Sequence, residues 1–383
     1  MKNTRVISLL LAVILMFCMS SQVFALEIKK TEMSLNAKSV VLMDAQTGTV
    51  LYSKNMNEAL PPASVTKVMT LLLVFEALEN GTLKYDEAVT VSENAASMGG
   101  SQVFLEPGES MSVDELIKCV VVSSANDAAV TLAERVGGSE EGFVELMNKR
   151  AKELGMEKSY FENVTGLDDD VTRHLTSAYD IALMSRELLK HKDITKYTTI
   201  WMDTIRNGQF GLSNTNRLVK YYRGVTGLKT GYTSGAGYCI SASAERDGLH
   251  LIAVVMGAGT SSERNAIATK LLDFGFANYC SYDDKGEICG EVTVLGGMKN
   301  KVEASCKDFS LLENAGAKGK IEKEIVMLDS VTAPVKKGDV LGKVTYKLNG
   351  VTVGENPITA NETIEKINFW HFFVKGFENF ILN

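Results

Sequence analysis

Alternating apolar and polar residues predict strands at two distant places in the chain. In residues 37–55, β-branched apolar residues flank the sequence Asp-Ala-Gln-Thr-Gly, a pattern typical of two strands joined by a turn. Residues 238–244 and 249–256 flank Glu-Arg-Asp-Gly in the same way. We therefore expect one β-hairpin near each end of the first 260 residues.

Between these hairpins, from residue 86 to residue 182, the apolar residues mostly recur at helical spacing. Just before this stretch, residues 60–78 are largely apolar after two prolines, which predicts a buried helix. Residues 112–138 predict a helix that begins at Ser112, with Glu115 completing a capping box, and ends at two glycines.

The order of these elements predicts the fold class. Ser177 and Asp180 form a second capping box at the start of another helix, and residues 261–279 predict a long helix after the last strands. The order is strands, helices, strands and helix. We therefore predict an α+β domain over residues 26–282, with helices inserted between segments of one sheet.

The last hundred residues have a different pattern. Residues 283–358 contain short alternating strands with glycine turns, which predicts a small all-β domain. Residues 359–383 place Ile364, Ile367, Trp370, Val374, Phe377 and Ile381 at steps of three and four, which predicts an amphipathic helix. The aromatic content favours a helix on a membrane surface over one packed on the protein core.

The N-terminus predicts the compartment. Residues 1–25 have a basic start, an apolar run and a small-residue exit, which is typical of a cleaved signal peptide; a retained membrane helix is the alternative. We therefore expect the mature protein outside the cytoplasmic membrane. The net charge of −7 gives no indication of nucleic-acid binding. The cysteines are too widely spaced for a disulfide framework, and we do not expect a Cys289–Cys306 bridge.

The candidate chemistry begins at the apolar helix, where Ser64 precedes Lys67 by three residues. Residues at this spacing share one helix face, so the hydroxyl and the amine can meet. Serine becomes a nucleophile when a base takes its proton, and a lysine amine can do so only when it is neutral. Burial and a second cation lower a lysine pKa in the required direction. A capping serine beside a surface lysine is the alternative.

Two further motifs favour the catalytic interpretation. Ser124-Ala125-Asn126 follows the first motif, and Lys229-Thr230-Gly231 stands at the head of a predicted strand. Their order and approximate separations are those of penicillin-binding proteins and class A β-lactamases. A chance match to all three is far rarer than a match to one.

On these motifs the chain resembles the serine-type D-alanyl-D-alanine carboxypeptidases, the low-molecular-weight penicillin-binding proteins of peptidase family S11. The resemblance covers nearly all of the mature chain, including the loop sequence Phe-Glu-Asn-Val-Thr-Gly-Leu-Asp-Asp. It implies a β-lactamase/transpeptidase-like sheet with a helical insert, a trailing β domain and a terminal helix on the outer face of the membrane. It also implies peptidoglycan pentapeptides as substrates and β-lactam antibiotics as covalent inhibitors, without a metal or cofactor.

The resemblance implies a role for each motif residue that reacts. Ser64 attacks the carbonyl between the two terminal D-alanines and becomes acylated, and Lys67 accepts its proton. Ser124 passes a proton towards the leaving amine. Asn126 holds both Lys67 and the substrate amide.

The resemblance also implies how the substrate carboxylate is bound. Lys229 and Thr230 bind it within the Lys-Thr-Gly segment that ends at Gly231, and Lys229 helps to keep the lysine base neutral. The backbone N–H of Tyr232, with that of the nucleophile, forms the oxyanion hole. Some relatives carry histidine where Tyr232 stands. Arg264 supports the carboxylate end, although a surface arginine is the alternative there.

Other interpretations are less well supported by the sequence. A Ser-His-Asp hydrolase lacks the Gly-x-Ser-x-Gly elbow, and a zinc peptidase lacks paired histidines at ligand spacing. A β-lactamase needs a carboxylate base for deacylation, and Glu162 and residues 168–170 lie in the relevant loop, but the loop sequence does not match that enzyme. A non-catalytic penicillin sensor remains an alternative of a different class.

Overall fold

The computed structural model describes residues 31–167, 172–317 and 319–368. The chain divides after Cys280 into two units, which we call the N-terminal unit (described from residue 31) and the C-terminal unit (described to residue 368). Among the described residues, we find no helix with the length and apolar character needed to cross a membrane.

The elements of the N-terminal unit follow the predicted order of strands, helices, strands and helix. Its strands are β1 (Ser39–Asp44), β2 (Val50–Lys54), β3 (Ala88–Thr90), β4 (Ser110–Ser112), β5 (Met202–Ile205), β6 (Phe210–Ser213), β7 (Val225–Thr233), β8 (Gly237–Arg246) and β9 (Leu249–Ala258). Its helices are α1 (Lys67–Glu79), α2 (Glu93–Ala96), α3 (Val113–Lys118), α4 (Asn126–Gly137), α5 (Glu140–Glu153), α6 (Ala178–Leu188), α7 (Ile194–Thr198), α8 (Leu218–Tyr221) and α9 (Ser261–Asn278). The α+β fold class is therefore confirmed.

One five-stranded antiparallel sheet organises this unit, in the order β2-β1-β9-β8-β7. Successive residues of a strand point to opposite faces of a sheet. Val41 and Met43 of β1 join the core with α1 and α6, whereas Leu42 lies beside Gly275 of α9 on the other face. Helices therefore cover both faces, which is why every residue of β1 is buried.

The local signals in the sequence place most of these elements correctly. The hairpins β1–β2 and β8–β9 are formed as predicted. Ser112 Oγ accepts the N–H of Glu115 at 3.3 Å, and Ser177 Oγ accepts that of Asp180 at 3.1 Å. Both predicted helix starts are therefore confirmed.

Two helix predictions need correction. The stretch 112–138 is not a single helix, because α3 is followed by a π-helical turn at Cys119–Ser123 and α4 begins only at Asn126. Ser124, between them, has φ of +62°. In addition, Ser64 lies in a 3₁₀ turn, Ala63–Thr66, and α1 begins at Lys67. These breaks occur at two of the three motifs.

The described residues of the C-terminal unit are all-β apart from a short 3₁₀ turn, Ala315–Ala317. Its strands are β10 (Tyr279–Asp284), which begins at the division between the units, β11 (Ile288–Leu295), β12 (Lys301–Cys306), β13 (Phe309–Asn314), β14 (Ile321–Met327), β15 (Ser330–Thr332), β16 (Val340–Leu348) and β17 (Val351–Ala360). Six of them form a sheet in the order β14-β16-β17-β12-β11-β15. Tyr346 is fully buried and stacks on Phe309 with ring centroids 3.8 Å apart. Cys289 and Cys306 are free thiols.

The helix predicted to begin at residue 359 does not begin there. Residue 359 lies in β17, and Ile364 exchanges two backbone hydrogen bonds with Val335, at 2.7 and 2.9 Å. Ile364 is 2% exposed and packs in the core of the C-terminal unit, so its position in the apolar periodicity reflects burial in a β structure. The remainder of the predicted helix, residues 369–383, lies outside the described residues, as does the predicted signal peptide.

Candidate active site

The turn that carries Ser64 is clamped between two other segments. A Cβ atom at Gly231 of β7 would lie 2.9 Å from the backbone N of Ser64, and one at Gly166 would lie 1.9 Å from the carbonyl oxygen of Ala63. Both positions require glycine, because any side chain would push the turn away. Thr66 at the end of the turn donates to Ala63 O at 2.9 Å. The half-buried Ser64 is therefore held at a fixed position beside the edge strand of the sheet.

Lys67 is completely buried below Ser64 and makes three polar contacts through its amine. Its Nζ lies 2.5 Å from Asn126 Oδ1, 3.0 Å from the carbonyl oxygen of Thr165 and 3.0 Å from Ser64 Oγ. Two of these partners can only accept hydrogen bonds. A neutral amine has two N–H bonds, which these two acceptors engage, so its lone pair faces Ser64 Oγ.

The environment of Lys67 favours this neutral form. Burial lowers the pKa of Lys67 well below its usual value, and the positive charge of Lys229 lowers it further. The carboxylate of Asp127 acts in the opposite direction and raises the pKa. Burial and the charge of Lys229 are the two larger effects, and both favour a neutral lysine that can accept a proton from serine.

The break between α3 and α4 places the second motif beside this lysine. Asn126 donates through Nδ2 to the carbonyl oxygen of Gly99 at 2.7 Å while its Oδ1 accepts from Lys67. The left-handed Ser124 is 4% exposed and lines the same cleft as Ser64. Asp127 accepts the backbone N–H groups of Val103 at 3.1 Å and Leu105 at 3.0 Å, which fixes the loop above Asn126.

The third motif lies along β7 and brings positive charge to the other side of Ser64. Lys229 is 1% exposed, and its Nζ donates to the carbonyl oxygen of Thr230 at 2.9 Å. Burial lowers the pKa of Lys229 to about 7, with a contribution from Arg264. Burial also lowers the pKa of Arg264 to about 10. Thr230 Oγ1 donates to Thr215 Oγ1 at 2.8 Å.

These segments enclose one cleft of about 760 Å³. It is lined by Ser64, Ser101, Ser124, Trp201, Ser213, Asn214, Thr215, Arg217, Tyr221, Thr230, Gly231, Tyr232, Tyr238, Ser261 and Arg264. Tyr232 is exposed and stacks on Tyr238 with ring centroids 4.3 Å apart. The structure thus brings together all the site residues predicted from the sequence: six line the cleft, and Lys67, Asn126 and Lys229 are buried beside it.

Comparison with known proteins identifies the family. The family model described as D-alanyl-D-alanine carboxypeptidase matches residues 26–260, and that described as penicillin-binding protein 5, C-terminal domain, matches residues 282–366. The chain belongs to the D-alanyl-D-alanine carboxypeptidase family. It is 45% identical over 377 residues to D-alanyl-D-alanine carboxypeptidase DacF of Bacillus subtilis, and the match covers 96% of each chain.

Solved structures of other penicillin-binding proteins agree with this assignment to the carboxypeptidase family. Penicillin-binding protein 5 from Haemophilus influenzae is 31% identical with a TM-score of 0.71, over 88% of this chain and 100% of that one. Penicillin-binding protein D2 from Listeria monocytogenes, in a cefotaxime-bound form, is 34% identical with a TM-score of 0.60, over 64% of this chain and 100% of that one. The predicted enzyme class, a D-alanyl-D-alanine carboxypeptidase, is confirmed.

Several residues of this carboxypeptidase site were not predicted from its sequence. The carbonyl of Thr165 accepts a hydrogen bond from the Lys67 amine, and the carboxylate of Asp127 accepts the backbone N–H of Val103 in the loop above the site. Asp127 directly follows the motif residue Asn126, and this position in the sequence could have predicted that it lies near the site. Thr215, Arg217 and Trp201 come from a segment without a catalytic motif, and only the fold brings them to the cleft.

Proposed function

We propose that this enzyme removes the terminal D-alanine from peptidoglycan pentapeptide stems through an acyl-enzyme on Ser64. The observation that carries the proposal is the lysine amine 3.0 Å from the serine hydroxyl, with two further acceptors engaging its N–H bonds. This arrangement suits a neutral base whose lone pair faces the nucleophile. Geometry and pKa therefore favour the same proton transfer.

In the acylation step, Ser64 Oγ gives its proton to Lys67 Nζ and bonds to the carbonyl carbon between the two D-alanines. The backbone N–H groups of Ser64 and Tyr232 stabilise the negative charge that develops on the carbonyl oxygen, a contribution of about 3 kcal/mol for one such donor. The C–N bond then breaks, and a proton passes from Lys67 through Ser124 to the departing amine of D-alanine. Water later hydrolyses the ester and regenerates the serine.

The substrate is oriented at both ends of the bond that breaks. The terminal carboxylate binds at Thr230, Lys229 and Arg264, where buried positive charge and a hydroxyl lie together. Asn126 contacts the substrate amide as well as Lys67. A peptide without the terminal carboxylate lacks these contacts and is expected to be a poor substrate.

The same chemistry accounts for inhibition by penicillins, which acylate Ser64 and are released slowly. The cefotaxime-bound form of the Listeria protein supports a β-lactam site in this cleft. A β-lactamase needs a free carboxylate base. Here the Glu162 carboxylate accepts the backbone N–H groups of Thr172 and Arg173, at 3.1 and 2.7 Å, which occupies it in the loop.

Release of D-alanine from a D-Ala-D-Ala pentapeptide by the purified protein tests this function, with Ser64→Ala as the matched control. We expect the wild type to release one free D-alanine for each pentapeptide cleaved, and the variant to release none. Labelling by a fluorescent penicillin without any release of D-alanine would instead support a non-catalytic penicillin sensor. Rapid turnover of penicillin would support a β-lactamase.

We further propose that the enzyme is secreted by the signal peptide at residues 1–25 and held on the outer face of the membrane by residues 369–383. The apolar and aromatic composition of the terminal segment supports surface attachment. Deletion should begin after residue 368, because Ile364 is part of the C-terminal unit's core. We expect the truncated enzyme in the soluble fraction with full activity on small peptides. A truncated protein that still sediments with membranes would contradict the anchor.

A further inference from the structure

The turn that carries the nucleophile has a backbone conformation that needs support. Ala63, the residue before Ser64, has φ of +49°, in the left-handed region that residues with a side chain rarely adopt. Such a conformation persists only where the surrounding structure holds it. The carbonyl oxygen of Ala63 accepts a hydrogen bond from Thr66 Oγ1 at 2.9 Å, and this bond closes the turn around Ser64. The contacts that fix the Thr66 hydroxyl therefore bear on the position of the nucleophile.

A buried histidine contacts that hydroxyl. His174 Nε2 lies 2.8 Å from Thr66 Oγ1, and His174 Nδ1 accepts the backbone N–H of Glu162 at 3.1 Å. Because Nδ1 is an acceptor, the ring proton is on Nε2, and Nε2 donates it to the Thr66 oxygen. Thr66 then uses its own proton for the carbonyl of Ala63. Three hydrogen bonds of defined direction thus lead from the loop at Glu162 to the residue before Ser64.

His174 is itself held in place. It is 5% exposed, and the ring of Phe161 packs against it edge to face, with ring centroids 5.6 Å apart. Leu175, the next residue, exchanges two backbone hydrogen bonds with Tyr160, at 2.9 and 3.1 Å. The imidazole therefore cannot turn away from Thr66 without breaking these contacts.

His174 can affect the reaction only through the turn. Neither His174 nor Thr66 is among the described residues that line the cleft. The turn, however, places Ser64 Oγ 3.0 Å from Lys67 Nζ, and it carries the Ser64 backbone N–H that the proposed mechanism uses in the oxyanion hole. A displacement of about 1 Å at a reacting group can slow an enzyme on the order of 100-fold.

We propose that His174 is a positioning residue for the nucleophile. Its Nε2–H fixes the Thr66 hydroxyl, which holds Ala63 in its left-handed conformation and Ser64 within reach of Lys67. His174 lies 108 residues after Thr66 in the chain, so only the fold brings the two together. This inference rests on the proposed function, since it concerns the same attack by Ser64.

The test measures the second-order rate of labelling by a fluorescent penicillin, and kcat and KM for the pentapeptide, in the purified full-length chain. In His174→Asn the shorter amide does not reach Thr66, so the labelling rate and kcat should fall roughly 10- to 100-fold with KM little changed. In His174→Gln an amide N–H lies near the position of Nε2, so most of the rate should return. Thr66→Val keeps the shape of the side chain without the hydroxyl and should match His174→Asn.

Thr70→Val is the matched control. Thr70 is as fully buried as Thr66, and its Oγ1 donates to the carbonyl oxygen of Val164 at 2.7 Å, but this bond does not reach the turn. The same substitution removes the same kind of hydrogen bond at both positions. The melting temperature should therefore fall by a similar amount in both variants, whereas the labelling rate of Thr70→Val should stay close to that of the wild type.

A double variant tests whether the two residues act through one path. If His174 acts through Thr66, His174→Asn combined with Thr66→Val should be labelled no more slowly than the slower single variant. Falls in rate that multiply in the double variant would show two independent effects and overturn the inference.

The other outcomes separate this inference from the proposed function. Unchanged labelling rates in His174→Asn and Thr66→Val overturn the inference alone. A rate as low in His174→Gln as in His174→Asn, or an equal fall in Thr70→Val, overturns it in favour of a general loss of packing. If His174→Asn does not fold, the comparison of Thr66→Val with Thr70→Val decides. A wild type that neither takes up the label nor releases D-alanine overturns both.

Discussion

Replacement of Asn126 by aspartate tests whether Lys67 acts as a neutral base. The two side chains have the same shape, so Asn126→Asp places a carboxylate oxygen where Oδ1 now lies, 2.5 Å from Lys67 Nζ. Asparagine offers this amine an acceptor without charge. Aspartate offers the same contact with a negative charge, which favours the protonated amine.

The size of this effect follows from the distance. Opposite unit charges about 3 Å apart attract by about 5 kcal/mol at an effective dielectric constant of about 20. The cost of burying the new carboxylate offsets part of this attraction. If about half of it remains, the neutral fraction of Lys67 falls by roughly 50-fold, since each 1.4 kcal/mol is a factor of ten. We expect acylation near pH 7 to slow by roughly 10- to 1,000-fold.

The assay is the second-order rate of labelling by a fluorescent penicillin, measured from pH 5 to pH 10. Acylation needs neutral Lys67, so the rising limb of the pH profile reports its deprotonation. In Asn126→Asp the pKa of Lys67 is raised, so this limb should move to higher pH and the rate should recover in alkali. Asn126→Ala is the control, because it removes the acceptor without adding charge and should slow acylation without that upward move. An unmoved limb in Asn126→Asp would show that Lys67 is not the base.

Three further predictions concern single residues of the site. Ser64→Ala should abolish covalent labelling by penicillin with an unchanged melting temperature; label that persists would exclude Ser64 as the nucleophile. Arg264→Ala should lower kcat/KM for the pentapeptide by roughly tenfold or more, because a charge-assisted contact with its carboxylate is lost. For a peptide that ends in D-alaninamide, the same substitution should change kcat/KM little. An equal fall in kcat/KM for both peptides would contradict the contact between Arg264 and the carboxylate. Lys229→Met should remove a pH dependence of stability. The pKa of Lys229 is about 7 in the folded state and about 10.4 in the unfolded state. Between these pH values the unfolded state binds more protons. The free energy of unfolding of the wild type should therefore rise by about 4 kcal/mol from pH 7 to pH 10 through this residue. Urea unfolding at pH 7 and pH 10 measures this rise. If the free energy of unfolding of the methionine variant rises by the same amount, the lowered pKa of Lys229 is refuted.

The parts of the fold that follow from local signals were predictable from the sequence. The hairpins at residues 37–55 and 238–256 depend on turn residues between alternating strands. The helix starts at Ser112 and Ser177 depend on serine hydroxyls that accept the backbone N–H three residues further on. Ser64 and Lys67 were predictable because a nucleophile and its base must be neighbours. Each of these features is encoded within a short window of the chain.

The break at Ser124 was not predictable in this way. Cys119 and the three valines after it form an apolar run that is compatible with a continuous helix. The helix ends there because distant segments engage the backbone: Asn126 N–H donates to Ser101 O at 2.7 Å, and Thr215 N–H donates to Val122 O at 3.1 Å. Tertiary contacts therefore override local helix propensity at the residue that the second motif contributes to the cleft.

The predicted start of a helix at residue 359 was wrong for a related reason. Ile364 fits the apolar face of a helix by its spacing from Ile367, but a single residue at the end of a domain satisfies a helical and a strand pattern equally well. Its backbone pairing with Val335 decides between them, and that partner lies 29 residues earlier in the chain. Spacing alone cannot contain this information.

The electrostatics of the site were the hardest feature to predict, because they depend on three cations being buried together. Lys67, Lys229 and Arg264 are each at most 5% exposed, and each of the two lysines has its pKa lowered first by burial and then by another of the three. Burial of like charges costs folding free energy, which the surrounding core has to offset. The same burial of like charges keeps Lys67 neutral, and Lys229 and Arg264 provide positive charge for the substrate carboxylate. Stability and catalysis therefore make opposite demands on Lys229, so a substitution that stabilises the fold at neutral pH should also slow acylation.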